Sequence, residues 1–137
     1  MIDSQAKGKR AERAVVSWLQ ANGFPEARRV IRTADARNAD EGDVRIDGVT
    51  IEVKHYRGGL TESEVDRFMK KLAIQKRPGD VGLLVERRDR VSDVGSWWAW
   101  FMSGDIHAFP SPNVLARVRL CDAVLLIRAS RMPWWLL

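Results

Sequence analysis

A short β-hairpin constrains this chain more than any other feature of its 137 residues. Apolar and polar residues alternate on both sides of the pair Asp47 and Gly48, which is a strong signature of a two-residue hairpin turn. Such a turn fixes the register, so that residue 46 opposes 49, 45 opposes 50 and 44 opposes 51. The same count predicts that Asp43 lies directly opposite Glu52.

The alternation also predicts two carboxylates and an amine on one face of the hairpin. The apolar residues point to one side, and Asp43, Glu52 and Lys54 point to the other. Directly opposed like charges are destabilising, and a divalent cation would offset the repulsion. Carboxylate oxygens without a neighbouring Cys or His pair favour Mg²⁺, with Mn²⁺ as a substitute, over zinc. A metal, a water and the Lys54 ammonium would suit phosphodiester hydrolysis. The alternative is an ordinary solvated face with a surface ion pair.

Glu12 is a second unusual acid, on the predicted first helix. It lies within a stripe formed by Gly8, Val15, Val16 and Leu19, where an apolar residue is expected. Because buried Glu is rare unless it is paired or bound to metal, we interpret Glu12 as a fourth member of the site. Gly8, one turn earlier on the same face, would leave room for close approach.

The remaining patterns predict an α/β fold with a mixed central sheet flanked by helices. Ser4 can cap a helix that runs to about Ala21, and Thr61 and Glu64 form a capping box for a second helix that ends before Pro78. Strands are predicted near residues 28–32, 81–85 and 96–102, with an aperiodic loop over 33–41. Residues 114–128 permit either a helix or alternating strands, and we favour a helix. We expect one domain over residues 1–137.

Composition indicates a basic protein of the cell interior. The net charge is +5, and 17 of the 23 basic residues are Arg, which grips phosphate in a two-pronged way. This favours a polyanion such as DNA, although a merely soluble basic protein is an alternative. The single cysteine, Cys121, excludes an intrachain disulfide and is expected in the core. The polar, basic start of the chain and the lack of a membrane span predict a cytoplasmic location.

Two spacings resemble a known nuclease family. Asp43, followed nine residues later by Glu52, Val53 and Lys54, resembles the PD-(D/E)xK nuclease signature. Residues 8–12, which begin with Gly8 and end with Glu12, are similar to the GxxxE element of archaeal and phage Holliday junction resolvases in that superfamily. The predicted order of elements agrees. One departure is that Gly42, not Pro, precedes Asp43.

The resemblance implies a restriction-endonuclease-like core and an Mg²⁺-dependent DNA endonuclease. It implies that Asp43, Glu52, Glu12 and the Val53 carbonyl hold the metal, and that Lys54 orients or helps deprotonate the attacking water. The expected substrate is a four-way DNA junction in recombination and repair, cut by a homodimer, since two symmetric cuts call for two sites. Alternatives are a nickase, a flap or single-strand nuclease, a restriction or repair enzyme, or a non-catalytic nucleic-acid-binding module.

Further side chains are candidates for contact with DNA phosphates and for packing. The candidates for DNA contact are Lys9, Arg10, Arg13, Arg29, Arg32, Thr33, Arg37 and His55. The alternative for each of them is an ordinary solvated, loop or strand-end residue. Thr33 matches a hydroxyl residue near the scissile phosphate of some resolvases, and His55 could transfer protons. Trp98 and Trp100 are predicted to share one face of a strand, with Trp97 on the other, and strand packing is their default role.

Overall fold

The sheet of this protein has six strands in the order in which they occur in the chain, β1-β2-β3-β4-β5-β6. The computed structural model describes residues 4–30, 43–106, 113–133 and 135. The elements are α1 (Ser4–Ala21), β1 (Arg28–Arg29), β2 (Val44–Ile46), β3 (Val49–Lys54), α2 (Glu62–Gln75), β4 (Val81–Glu86), β5 (Trp98–Met102), α3 (Ser103–Ile106), β6 (Leu115–Arg119) and α4 (Leu120–Arg131). A 3₁₀ turn at Val94–Ser96 precedes β5. The mixed sheet flanked by helices is therefore confirmed.

The predicted hairpin register is confirmed by the pairing of β2 with β3. The Cα partners are Val44 with Ile51, Arg45 with Thr50, and Ile46 with Val49. Gly48 has φ +72°, a left-handed conformation that glycine adopts at little cost, so the Asp-Gly turn fixes the pairing locally.

Strands β3 and β4 run parallel, and helix α2 is the crossover between them. The predicted capping box is present: Glu64 N–H donates to the Thr61 hydroxyl, and Thr61 N–H donates to the Glu64 carboxylate. Lys54 and Glu86 are Cα partners at the ends of the two strands. The crossover thus brings residues 32 positions apart in the sequence side by side at one end of the sheet.

Helices cover both faces of the central strands. On one face, α1 and α4 bury an apolar cluster that includes Ala11, Val15, Ile51 and Ile127. On the other face, α2 packs Phe68, Met69 and Leu72 against Leu84 of β4. Arg128 and Arg131 of α4 donate to the carbonyls of Asn22 and Asp47, so this helix also holds the end of α1 and the hairpin turn.

The polar face of the hairpin is not the open surface that alternation alone would give. Thr50 is fully buried and Glu52 is 4% exposed, and α2 packs against Leu84, the Cα partner of Glu52 on β4. Arg45 and Thr50 are satisfied there by Asp80, whose Oδ2 lies 2.8 Å from Arg45 Nη1 and 3.0 Å from Thr50 Oγ1. Glu52 and Asp80 are therefore buried on this face, whereas Asp43 is half-buried.

Three sequence predictions are wrong or shifted in the second half of the chain. Residues 115–119, predicted as part of a helix, form edge strand β6, and α4 begins only at Leu120. Cys121, expected in the core, is half-buried. The strand predicted from residue 96 begins at Trp98, because the preceding residues form the 3₁₀ turn. Leu115–Arg119 follow the alternating pattern because they pair with the edge of β5.

The start of the sheet is shorter than predicted in the described residues. Strand β1 comprises Arg28–Arg29, and residues 31–42, with the predicted loop, lie outside the description. Among the helices that the structure describes, none combines the length and the apolar character needed to cross a membrane.

Candidate active site

Asp43 and Glu52 come together where β2 and β3 separate. Asp43 lies one residue before β2; its N–H donates to the Ile51 carbonyl, and its Oδ2 accepts from Val53 N–H at 3.0 Å. A further hydrogen bond joins the carboxyl groups of Asp43 and Glu52. The two acids interact, but the prediction that Asp43 lies directly opposite Glu52 is wrong. The strand register ends at the pair Val44 and Ile51, and Asp43 N–H also donates to the Ile51 carbonyl.

Burial makes this pair of acids electrostatically demanding. Desolvation, the neighbouring Asp43 charge and the hydrogen bond that protonated Glu52 donates to Asp43 raise the pKa of Glu52 to about 7, while Lys54 and Lys71 act in the opposite direction. Ionisation of Glu52 near neutral pH therefore costs free energy, since its charge is desolvated and lies beside that of Asp43. A bound cation would remove that cost.

Lys54 is placed beside the acids by its strand and by an aromatic ring. Its Nζ lies 4.0 Å from Glu52 Oε2 and 4.7 Å from the centroid of the Phe68 ring on α2. Tyr56 packs edge-on against the same ring, with centroids 5.8 Å apart. The attraction between the Lys54 ammonium and the face of the buried Phe68 ring favours this position of the side chain, so Phe68 helps to hold Lys54 in the site.

The donors at this position fit a hard divalent cation. Asp43 and Glu52 offer carboxylate oxygens. The Val53 N–H donates to the Asp43 side chain, and in a β-strand the carbonyl of a residue points to the same edge as its N–H. The Val53 carbonyl therefore also points toward Asp43. Within residues 4–30, 43–106 and 113–133, no three His, Cys, Asp or Glu side chains gather into a metal-binding group. Two acids, the Val53 carbonyl and water are thus the ligand set that these residues offer, and Mg²⁺ commonly retains several waters.

Glu12 lies beside the buried stripe of α1 and not at its centre. The fully buried positions are Ala11, Val15 and Leu19, whereas the Glu12 side chain is 17% exposed. Its Oε2 accepts from Arg29, with Nε and Nη2 both at 3.1 Å. A Cβ at Gly8 would meet no described atom within 4 Å, so the space next to this helix turn is open. The sequence argument from a misplaced acid is thereby corrected: Arg29 pairs with it.

The residues predicted to contact DNA differ in how accessible they are. Lys9, Arg10 and Arg13 are exposed on α1, while Arg29 is engaged by Glu12. Arg32, Thr33 and Arg37 lie outside the described residues.

His55 faces inward at the end of β3. Its side chain is 9% exposed, and its Nε2 lies 3.2 Å from Asp89 Oδ1. Hydrogen bonds from Gly58 N–H and from His55 hold the pKa of Asp89 below its ordinary value. His55 is thus part of an ordered pair near the site and does not project toward solvent.

Sequence patterns did not identify Phe68 and Glu86 as neighbours of the site. Phe68 is at helical spacing with other apolar residues of α2, which indicates core and nothing more. Glu86 ends an otherwise apolar strand, and that exception was the available signal. Its position next to Lys54 depends on the parallel register of β3 and β4, which no local pattern specifies.

Comparison with known proteins gives one structural likeness. No protein-family model and no curated protein matches the chain. Among solved structures, the chain is similar to Hjc of Archaeoglobus fulgidus, a Holliday junction resolvase from an archaeal hyperthermophile. The TM-score is 0.48 and the sequence identity 19%, over 90% of this chain and 99% of that one. A functional conclusion must therefore come from the chemistry of the site.

Proposed function

We propose that this protein is a metal-dependent endonuclease that hydrolyses DNA phosphodiester bonds. The observation that carries the proposal is the contact between Asp43 and the buried Glu52, with the Lys54 ammonium 4.0 Å from Glu52. Two adjacent acids that are costly to ionise together, with a fixed cation beside them, are suited to holding a metal and a phosphate.

Each residue of the site has a distinct role in this proposal. Asp43, Glu52 and the Val53 carbonyl would hold Mg²⁺, for which Mn²⁺ would substitute. Glu12, which does not gather with these two acids into one group of the described residues, would join the shell through water. The bound ion supplies Lewis acidity and lowers the pKa of a bound water. Lys54, kept in place by Phe68, orients the attacking water and stabilises charge that develops on the phosphate. Lys9, Arg10 and Arg13, exposed on α1, bind the DNA backbone.

The proposed substrate is a four-way DNA junction, and the proposed assembly is a homodimer. The GxxxE-like element of residues 8–12 and the Asp43, Glu52 and Lys54 signature support this choice. The observed order of α1, three strands, α2 and β4 agrees with the order that the resemblance implies. A two-fold dimer would present two sites to the two symmetric strands of a junction. Such an activity would serve DNA recombination and repair in the cytoplasm.

Cleavage of a labelled four-way junction, with Mg²⁺ and with EDTA, tests this function. Glu52→Gln and Lys54→Ala should each lower the cleavage rate about a hundredfold or more, because each removes a group that acts on the reacting phosphate. Glu26→Gln and Lys70→Ala are matched controls, since both residues are exposed and distant in sequence from the hairpin acids, and both should retain the wild-type rate. Unchanged Mg²⁺-dependent cleavage by either site variant would place the chemistry elsewhere.

A linear duplex of the same sequence separates junction resolution from the other nuclease activities. We expect the junction to be cut much faster than the duplex and at symmetric positions. Equal rates on both substrates would indicate a nuclease of another specificity in the same class. No cleavage with retained DNA binding would favour the non-catalytic binding module.

A further inference from the structure

A cavity of about 690 Å³ opens next to the proposed catalytic site, at the same end of the sheet. Its wall on the β4, β5 and β6 side is formed by Trp98, Trp100, Leu115, Arg87, Arg88 and Arg117. Glu86, the Cα partner of Lys54, also lines it. Because neighbouring strands lie ~4.8 Å apart, the cavity begins about one strand away from the catalytic lysine.

The most distinctive feature of the cavity is an alternation of indole rings and guanidinium groups. Arg88 and Arg117 lie 4.4 and 4.2 Å from the Trp98 ring centroid, and Arg117 lies 5.3 Å from that of Trp100. Both Trp side chains are half-buried, and Arg117 is exposed. Nucleic-acid bases stack on aromatic rings and on Arg planes in the same way. Their flat faces therefore suit this wall.

The cavity contains a positively charged side chain that is available to bind an anion. Three of its four carboxylates have partners: Glu86 accepts from Trp100 Nε1 and Leu60 N–H, Asp89 accepts from Gly58 N–H, and Asp66 pairs with Lys70. In the part of the chain that the structure describes, no carboxylate forms an ion pair with Arg117. A phosphate beside a stacked base would meet that uncompensated charge.

We infer that this cavity binds an unpaired nucleotide of the DNA strand next to the scissile phosphate, with its base stacked on the exposed Arg117 guanidinium that the Trp98 and Trp100 rings support. The inference rests on the proposed nuclease function for the identity of the ligand as DNA. It goes beyond that function because it gives the enzyme a preference for substrates with unstacked bases at the cut, such as branch points. The interior of a continuous helix does not offer a free base face.

Binding of a fluorescently labelled octathymidylate, measured by anisotropy in EDTA, tests the inference without any catalytic step. Trp98→Ala and Arg117→Gln should each weaken binding about tenfold, the effect expected from losing one stacked base. Trp98→Phe should retain most of the affinity, because a ring remains. Arg119→Gln is the matched control: Arg119 lies on the same strand but is engaged by Asp122, and its loss should change affinity less than about twofold. Affinity for an eight-base-pair duplex should stay the same in all four variants.

The outcomes separate this inference from the proposed function. Wild-type affinity in both Trp98→Ala and Arg117→Gln would overturn the cavity assignment, whatever the cleavage assay shows. An equal loss in Arg119→Gln would overturn it too, because the effect would then be one of total charge. Absence of junction cleavage, with oligonucleotide binding that depends on Trp98, would overturn the nuclease function and leave the binding site supported.

Discussion

Replacement of Glu52 by Gln should stabilise the metal-free protein above neutral pH. The pKa of Glu52 lies at about 7 in the folded chain, against an ordinary value of 4.5, mainly because burial disfavours the charged form. The folded state therefore binds this proton more tightly than the unfolded state does. The contribution of Glu52 to stability is complete below pH 4.5, falls as the pH rises toward 7, and stays low at higher pH.

The size of the effect follows from the two pKa values. Each pH unit between them corresponds to ~1.4 kcal/mol, so ionisation of Glu52 costs the folded protein about 3 kcal/mol at pH 8. A Gln side chain has nearly the same shape, can donate a hydrogen bond to Asp43, and does not ionise. The difference in the free energy of unfolding between variant and wild type should thus grow from near zero at pH 4.5 to about 3 kcal/mol in favour of Glu52→Gln at pH 8.

Urea denaturation in EDTA, repeated between pH 4.5 and pH 8, measures this difference directly. The exposed Glu26→Gln variant is the control, and its stability should follow the wild-type curve at every pH. Addition of Mg²⁺ at pH 8 should raise the stability of the wild type and narrow the gap, because the ion binds the folded acids preferentially. Parallel curves for wild type and Glu52→Gln over the whole range would refute the reasoning. Equal stabilisation of both by Mg²⁺ would place the metal away from Glu52.

Three further perturbations test the surroundings of the site. Phe68→Leu should lower the single-turnover cleavage rate about threefold to tenfold with little change in DNA affinity, since the ring only restricts the position of Lys54; an unchanged rate would exclude that role. Asp80→Ala should lower the free energy of unfolding, measured by urea denaturation, by about 3 kcal/mol, because it leaves the largely buried Arg45 guanidinium without its carboxylate partner. A decrease below about 1 kcal/mol would mean that the Arg45 side chain moves into solvent in the variant. Arg13→Gln should lower the slope of log affinity against log salt by about one, and an unchanged slope would remove Arg13 from the DNA interface.

The parts of the fold that were predictable from sequence are those fixed by neighbouring residues. The Asp47-Gly48 turn determines the hairpin register, and the Thr61 and Glu64 capping box determines the start of α2. The segment that became β6 and α4 carries both a helical and an alternating pattern. Pairing of Leu115–Arg119 with β5 decides between them, and that pairing is a tertiary contact.

The same distinction applies to the candidate site. Asp43, Glu52 and Lys54 lie within twelve residues around one turn, so their meeting follows from the local register. Phe68 and Glu86 join them through α2 and the parallel strand β4. Their contributions depend on how the crossover packs, which periodicity does not encode.

The packing of α2 links the stability of the fold to the chemistry of the site. The helix buries Phe68 and Leu72 against the sheet, and the same cover leaves Glu52 only 4% exposed. An acid at this position in an open hairpin would be solvated and nearly neutral in its effect on stability. Under α2 its ionisation destabilises the folded protein. The proposed metal ion would relieve this repulsion, so part of the affinity for the ion would come from the fold itself. A variant that loosens α2 should therefore become less sensitive to pH and bind Mg²⁺ more weakly at the same time.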